Sequence, residues 1–173
     1  MIEPWTQTRG GKRFDTFDPK PEQFDIFDIA TALSRICRFN GHTIKFYSVA
    51  EHCVLMAGAV SRQNKFAALM HDVSEAYLPD MPGPIKGHFQ SFIDAENVIM
   101  KAAADRFRFA WPLPDEVKEA DARILMDEKK QAMGPSPCDW GIDCKPLGVK
   151  LKFWPFGLAQ NKFLHEFWRL GAL

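Results

Sequence analysis

Residues 69–75 read Leu-Met-His-Asp-Val-Ser-Glu and place three ionisable side chains inside an otherwise apolar segment. The surrounding apolar residues recur at helical spacing and predict one buried helix with a stripe of Phe66, Met70, Val73 and Tyr77. Residues three or four apart lie on one flank of a helix, so His71, Asp72 and Glu75 are expected to project together. Because ionisable groups rarely border a core without a partner, we expect them to form half of a metal site.

Two residues outside this stretch complete the candidate ligand set. His52 lies on a helix that we expect to begin after Ser48, and it faces inward or lies at the rim of the core. Asp121 aligns with the apolar stripe of a later helix, where an ionised carboxylate is costly unless it is paired or bound to a metal. Taken singly, such residues are usually hydrogen-bonded core histidines and caps or ion-pair partners. Together with His71 and Asp72, they form a nitrogen and oxygen set that suits Mn, Co, Fe, Zn or Mg.

The rest of the chain predicts an all-α fold with one domain over residues 1–173. Its helical core spans about residues 25–133, beginning with an amphipathic helix from Asp25 and including a helix with Ser48 and Glu51 in capping-box positions. Prolines predict an extended segment over residues 79–84. Further helices are expected over about 91–107, 114–133 and 156–170. We expect a β-hairpin within residues 4–17, and a C-terminal arm and helix over 134–173, with an irregular arm.

Composition excludes several classes of protein. Lys and Arg number 22 and Asp and Glu also number 22, so the formal net charge of zero argues against a general binder of nucleic acid or of acidic membranes. No apolar run approaches the length of a membrane span. Residues 1–5 lack the charged and apolar regions of a signal peptide, so we expect a cytoplasmic protein.

Three segments and one later residue carry a family resemblance. They are Arg38-Phe39 with Ser-Val-Ala-Glu-His at 48–52, the stretch His-Asp-Val-Ser-Glu at 71–75, Asp-Met-Pro-Gly-Pro-Ile-Lys at 80–86, and Asp121. This pattern resembles the HD-domain phosphohydrolase superfamily, and more closely its 5'-deoxynucleotidase branch and the phage deoxynucleoside triphosphate hydrolases. The resemblance spans about residues 25–130 and implies an HD-type helical bundle.

The resemblance implies roles for individual residues. A divalent metal ion would be ligated by His52, His71, Asp72 and Asp121. Glu75 would orient or deprotonate the attacking water and, with Asp72, counts as catalytic. Phosphate oxygens would be bound by Arg38 and Lys86, and Asp80 matches a position near the substrate.

The chain departs from the nucleotidase pattern around residue 40. Phe39 stands where such a nucleotidase would have Trp, a substrate-binding residue that packs against the sugar, and residues 40–47 form an insertion of this chain. Within the insertion, His42 and Lys45 offer charge and the neighbouring aromatic residues offer stacking surfaces, which suits a substrate loop. An ordinary turn between helices explains the same residues equally well.

These observations predict a metal-dependent phosphohydrolase that acts on small (deoxy)nucleotides. Hydrolysis of a deoxynucleoside triphosphate such as dATP, rather than of a 5'-monophosphate, is one alternative. A catalytically silent nucleotide-binding module and a purely structural helical domain are others. We expect a homo-oligomer, a dimer or higher, with no nucleic-acid or membrane partner; the aromatic residues of the late arm could cover the core or form the subunit interface, namely Trp140, Phe153, Trp154 and Phe156.

Overall fold

A computed structural model describes residues 3–171, which are mostly helical. The two strands and seven α-helices are β1 Trp5–Gln7, β2 Arg13–Asp15, α1 Ile26–Arg35, α2 Val49–Ala59, α3 Lys65–Met70, α4 Gly83–Lys86, α5 Gln90–Phe107, α6 Asp115–Ala132 and α7 Phe156–Gly171. Single turns of 3₁₀ helix occur at Pro21–Gln23, Phe39–Gly41, Arg62–Asn64 and Val73–Ala76. The predicted helical fold with a short N-terminal hairpin is confirmed. No helix within residues 3–171 is both long and apolar enough to cross a bilayer.

An aromatic side chain of the hairpin packs into the helical body. Strands β1 and β2 pair antiparallel with Thr6 opposite Phe14. Phe14 is fully buried; its ring stacks on Tyr77 at 3.6 Å and meets Phe24 edge-on at 5.1 Å. Burial of an aromatic ring contributes a large apolar area, so this contact fixes a two-stranded hairpin that would be marginal alone.

Helix α2 lies at the centre of the bundle. Its first turn is capped by the Ser48 hydroxyl, which accepts a hydrogen bond from the Glu51 amide at 3.1 Å, as the sequence predicted. It packs against α1, α3, α6 and α7. A helix with neighbours on several sides is apolar all round, and a polar residue on it must therefore find a partner inside the protein. His52 is such a residue.

The helix predicted through residues 69–75 is interrupted, which corrects that expectation. Helix α3 ends at Met70, and a 3₁₀ turn begins at Val73. Asp72 lies between them with φ −105° and ψ 20°, outside the α-helical region. In an uninterrupted helix, successive residues point about 100° apart. The break allows His71 and Asp72 to face the same point.

The proline-rich segment also differs from the prediction. Residues 79–82 are irregular, but Gly83–Lys86 form the short helix α4 with a proline in its first turn. Proline is tolerated there because the first amide groups of a helix have no partner within the helix. The later helices α5, α6 and α7 match their predicted spans closely.

The arm over residues 134–155 contains no helix or strand, as predicted. It runs along α6, where the Gly148 amide donates to Asp127 at 2.9 Å and the Gln131 side chain bonds the backbone of Val149 and Leu151. Part of the arm's aromatic surface packs against buried apolar clusters of the body. Phe156 remains half exposed, and a subunit interface there stays a prediction.

Glu51 fastens the end of this arm. The expected capping box would turn its carboxylate back to the start of α2, but the fully buried side chain instead accepts three hydrogen bonds from the arm. Oε1 accepts from the amides of Lys152 at 2.6 Å and Phe153 at 2.9 Å, and Oε2 accepts from that of Trp154 at 2.6 Å. The irregular backbone thus obtains acceptors that a strand partner would otherwise supply.

Replacing Glu51 with Gln tests this attachment. The amide group of Gln is a donor and would face a backbone N–H group, leaving both without an acceptor. We expect the free energy of unfolding to fall by about 1–3 kcal/mol, the cost of a buried unsatisfied group. Urea denaturation measures the change. Glu119→Gln, at an exposed position on α6, should change stability by no more than about 0.5 kcal/mol; equal effects of the two variants would contradict the interpretation.

Candidate metal centre and adjoining cavity

Two imidazole rings meet inside the bundle. His52 from α2 is fully buried, and His71, just after α3, is 7% exposed. Their Nε2 atoms lie 3.1 Å apart. The interruption after Met70 and the central position of α2 together produce this contact.

The hydrogen-bond partner of each Nδ1 atom determines which nitrogen of the ring carries the hydrogen. His52 Nδ1 lies 2.7 Å from Oε1 of Glu128, and His71 Nδ1 lies 2.8 Å from the carbonyl oxygen of Ala68. A carbonyl oxygen, like an ionised carboxylate, can only accept, so both Nδ1 atoms carry the hydrogen. In the neutral rings, both Nε2 atoms therefore present lone pairs toward each other.

Two carboxylates add oxygen atoms at the same place. Asp72 Oδ2 lies 3.1 Å from His71 Nε2 and 3.5 Å from His52 Nε2, and it is buried without a hydrogen-bond partner. Asp121 Oδ1 lies 3.3 Å from His52 Nε2 and 3.8 Å from His71 Nε2. The Asp121 side chain is 45% exposed, so it lies at the rim of the site.

This arrangement could hold a metal ion. One ligand atom from each of His52, His71 and Asp72 lies within 4.8 Å of the other two. Asp121 is the fourth predicted ligand, and its oxygen approaches both rings. Four electron-pair donors with no hydrogen atom between them repel one another unless a cation lies among them. The mixed nitrogen and oxygen set suits a borderline or hard divalent ion.

The electrostatic environment also favours positive charge here. Burial alone would lower the pKa of His71, but Asp72 raises it well above the ordinary value. Burial likewise acts to raise the pKa of Asp72, yet the two imidazoles hold it at about 2. Either a proton or a metal cation can supply the positive charge that this site favours.

Glu128 is a part of the site that the sequence analysis missed. It is fully buried on α6, where one oxygen bonds His52 Nδ1. Its other oxygen accepts a hydrogen bond from Arg38 Nη2 at 3.2 Å. Glu128 follows Asp121 by two helical turns and so shares its face, and this spacing was the signal that could have identified it. By orienting His52, it acts on the metal site from outside.

A cavity of about 700 Å³ opens beside Asp72 and Asp121. It brings together seven of the predicted site residues, namely Arg38, Phe39, Asp72, Glu75, Asp80, Lys86 and Asp121. The proline segment contributes four further lining residues, namely Met81, Pro82, Gly83 and Pro84. Later segments contribute Leu125, Asp139, Trp140 and Ile142.

Glu75 and Lys86 both line this cavity, and their surroundings differ. Glu75 is 6% exposed, and its Oε2 atom is buried without a hydrogen-bond partner. Burial, followed by the charges of Asp72 and Asp80, raises the pKa of Glu75 well above its ordinary value. Lys86 donates a hydrogen bond to Glu96 at 2.8 Å, so its ammonium group is held at the wall of the cavity.

Arg38 is buried and held in place by carboxylates of the protein, so its guanidinium group is not free in the cavity. It is 8% exposed, and Glu128 engages its guanidinium group. Its Nη1 atom lies 3.7 Å from Asp72 Oδ2. The residue therefore links the metal-ligand network to the cavity wall.

His42 and Lys45 do not line this cavity. Both are exposed, and the amide of Ile44 between them donates to the carbonyl of Ala132 at the end of α6. Lys45 lies 5.4 Å above the ring of Phe153 in the arm. Residues 40–47 thus form a turn fastened to α6 and the arm, which favours the structural alternative for this insertion.

The arm supplies a wall that sequence periodicity did not reveal. The Trp140 ring lies 5.8 Å from that of Phe39, between centroids, and its face is 5.2 Å from Lys129 Nζ. The composition of the arm showed an available aromatic surface, but an irregular segment has no period from which its position can be inferred.

Two bacterial proteins are similar to most of this chain. YfdR of Escherichia coli strain K12, described as uncharacterized, is 35% identical over 149 residues, which cover 86% of this chain and 76% of YfdR. An uncharacterized protein of Rhodobacter capsulatus is 34% identical over 130 residues, covering 69% of this chain and 66% of that protein. No family model matches the sequence.

Changing Glu128 to Gln tests its effect on the metal site. The variant keeps the size of the side chain but removes the charge that orients His52. We expect affinity for Mn²⁺ to fall by about 10- to 100-fold, as for other groups that support a metal ligand. Calorimetric titration of chelator-treated protein gives the dissociation constants, with circular dichroism as a check on folding. Glu119→Gln on the same helix should bind as the unmodified protein does; unchanged affinity in a folded Glu128→Gln protein would exclude the role.

Proposed function

We propose that this chain, which belongs to the family of the Escherichia coli protein YfdR, is a metal-dependent phosphohydrolase of small nucleotides. One observation carries the proposal. Lone-pair atoms of two imidazoles and two carboxylates converge beside a cavity that also contains an arginine and a lysine. The residues of the HD-type pattern therefore lie close together. As part of the proposal, we also assign the fold to the HD-type helical bundle.

The donor set fits a divalent metal ion. His52, His71, Asp72 and Asp121 would hold it, and the unpartnered oxygen of Asp72 lies where a cation is needed. When bound, a divalent ion polarises a phosphoryl oxygen and lowers the pKa of water. The nitrogen and oxygen ligands accommodate Mn, Co, Fe, Zn or Mg.

Glu75 is the proposed proton acceptor. Its buried Oε2 atom has no hydrogen-bond partner, and the residue lines the cavity next to Asp72. A carboxylate placed in this way can orient an attacking water molecule and take its proton as the new oxygen–phosphorus bond forms. The bond from phosphorus to the leaving oxygen breaks as the new bond forms, and the leaving oxygen takes a proton from solvent.

Arg38 and Lys86 are the proposed phosphate ligands. Both line the cavity, and both are already held by carboxylates, Arg38 by Glu128 and Lys86 by Glu96. Fixed cations do not have to be ordered when substrate binds, so they can hold the phosphoryl group close to Glu75. Asp80 lies on the same wall, where it can accept a hydrogen bond from a sugar hydroxyl.

The charge of the cavity favours a monophosphate over a triphosphate. Two cationic and five acidic side chains line it, namely Arg38, Lys86, Asp72, Glu75, Asp80, Asp121 and Asp139. A phosphomonoester brings about two negative charges at neutral pH, and a triphosphate brings more. Even with a divalent ion the lining carries no excess of positive charge. We therefore place a nucleoside 5'-monophosphate first, with a nucleoside and inorganic phosphate as products.

A phosphate-release screen tests the function directly. Nucleoside mono-, di- and triphosphates are assayed with Mn²⁺, Co²⁺, Mg²⁺ and Zn²⁺, and we expect the monophosphates to give the highest kcat/KM. Assays that detect released triphosphate follow the alternative reaction. Metal binding without turnover of any nucleotide would favour the catalytically silent module.

Asp72→Ala should abolish both metal binding and turnover, because the variant removes a ligand and the unpartnered oxygen. Metal analysis of the purified protein and the phosphate-release assay measure the two effects. Asp105→Ala, at an exposed position of α5, is the matched control and should retain both properties. Full activity of the Asp72→Ala protein would overturn the assignment.

Glu75→Gln separates proton transfer from metal binding. Loss of a general base lowers kcat by about 10²–10⁴-fold. The four proposed ligands are unchanged in this variant, so metal stoichiometry should be retained. A normal kcat with bound metal would assign the base elsewhere.

A further inference from the structure

The cavity has an aromatic region whose residues come from two distant parts of the chain. Phe39 follows Arg38 directly, and Trp140 belongs to the irregular arm. Their ring centroids are 5.8 Å apart with the planes inclined by 47°. Both rings line the same cavity as the metal-ligating carboxylates, together with the aliphatic side chains of Leu125 and Ile142.

Helix α6 relates the aromatic region to the metal site. Asp121, Leu125 and Lys129 follow one another at successive turns of α6. Lys129 Nζ lies 5.2 Å from the Trp140 ring. Eight residues separate Lys129 from Asp121, which corresponds to about 12 Å of helical rise. That length leaves room for a sugar between a phosphate near Asp121 and a planar group at Trp140.

Contacts with α6 hold the arm on either side of residues 140–144. On its C-terminal side, the Gly148 amide bonds Asp127, and carbonyl groups of residues 145 and 146 accept hydrogen bonds from Arg123. Next to Trp140, Asp139 lies 3.7 Å from Lys129. A preorganised ring binds a planar ligand without the entropy cost of ordering it first.

We propose that Trp140, with Phe39, forms a stacking site for the base of the substrate, so that the cavity selects phosphate esters that carry a planar aromatic group. The inference rests on the proposed phosphohydrolase function and names the feature that its substrates share. Stacking accepts every base, because each has a π-face, and the aliphatic side chains of Leu125 and Ile142 line the cavity together with the two rings. The site therefore distinguishes nucleotides from sugar phosphates and discriminates weakly among bases.

The test compares deoxyadenosine 5'-monophosphate with 2-deoxyribose 5-phosphate, in which a hydroxyl group replaces the base. For Trp140→Leu we expect KM for the nucleotide to rise by about 10- to 100-fold, the range for loss of one base–aromatic stack. The ratio of kcat/KM for the nucleotide to that for the sugar phosphate should fall by a similar factor. Trp140→Phe keeps a ring and should restore most of the ratio.

Trp168→Leu is the matched control, because Trp168 is 56% exposed on α7 and does not line the cavity. It should leave the ratio unchanged. An equal loss on both substrates for Trp140→Leu would make Trp140 a structural residue and overturn the inference, as would unchanged kinetics on both.

Calorimetric binding of deoxyadenosine 5'-monophosphate separates this inference from the proposed function. If the unmodified protein hydrolyses neither compound, the proposed function fails, and the inference is then decided by binding. Tight binding that is weakened in Trp140→Leu and retained in Trp168→Leu supports the stacking site. Binding that is absent, or equal in the two variants, overturns it.

Discussion

With both imidazoles neutral, four electron-pair donors meet with no hydrogen atom among them, and this sets the central constraint on this structure. Two imidazole Nε2 atoms and oxygens of Asp72 and Asp121 approach one another at 3.1–3.8 Å. Such an arrangement is unfavourable unless a cation satisfies it. The interruption after α3 and the buried course of α2 produce this arrangement, because each brings one histidine to the same point.

Further charged side chains contact the residues of this centre and one another. Glu128 contacts His52 and Arg38, and Arg38 in turn approaches Asp72. Buried ion pairs contribute little net stability, since desolvation offsets their attraction. The apolar core, which includes side chains from the hairpin through α7, must stabilise the fold against this cost. A network retained at such a cost is typical of a functional site.

Long-range attachment of the arm links helix α2 to a wall of the cavity. Glu51 is adjacent to His52 in sequence, yet its carboxylate binds backbone amides a hundred residues later. The arm that it fastens carries Trp140 to the cavity wall. Stability of the irregular segment and the shape of the cavity therefore depend on the same buried helix.

The sequence by itself determined the helical class, the hairpin, most helix spans and four candidate metal ligands, namely His52, His71, Asp72 and Asp121. Each of these follows from local chemistry: the periodicity of apolar residues along a helix, capping by Ser48, and the need of a buried His or Asp side chain for a partner. Only the tertiary structure decided that the chain breaks after Met70, that Glu128 supports His52, and that the arm reaches the cavity. These features depend on pairs of residues far apart in the chain, for example Glu51 and Trp154, and no local pattern records which distant groups the packed core brings into contact.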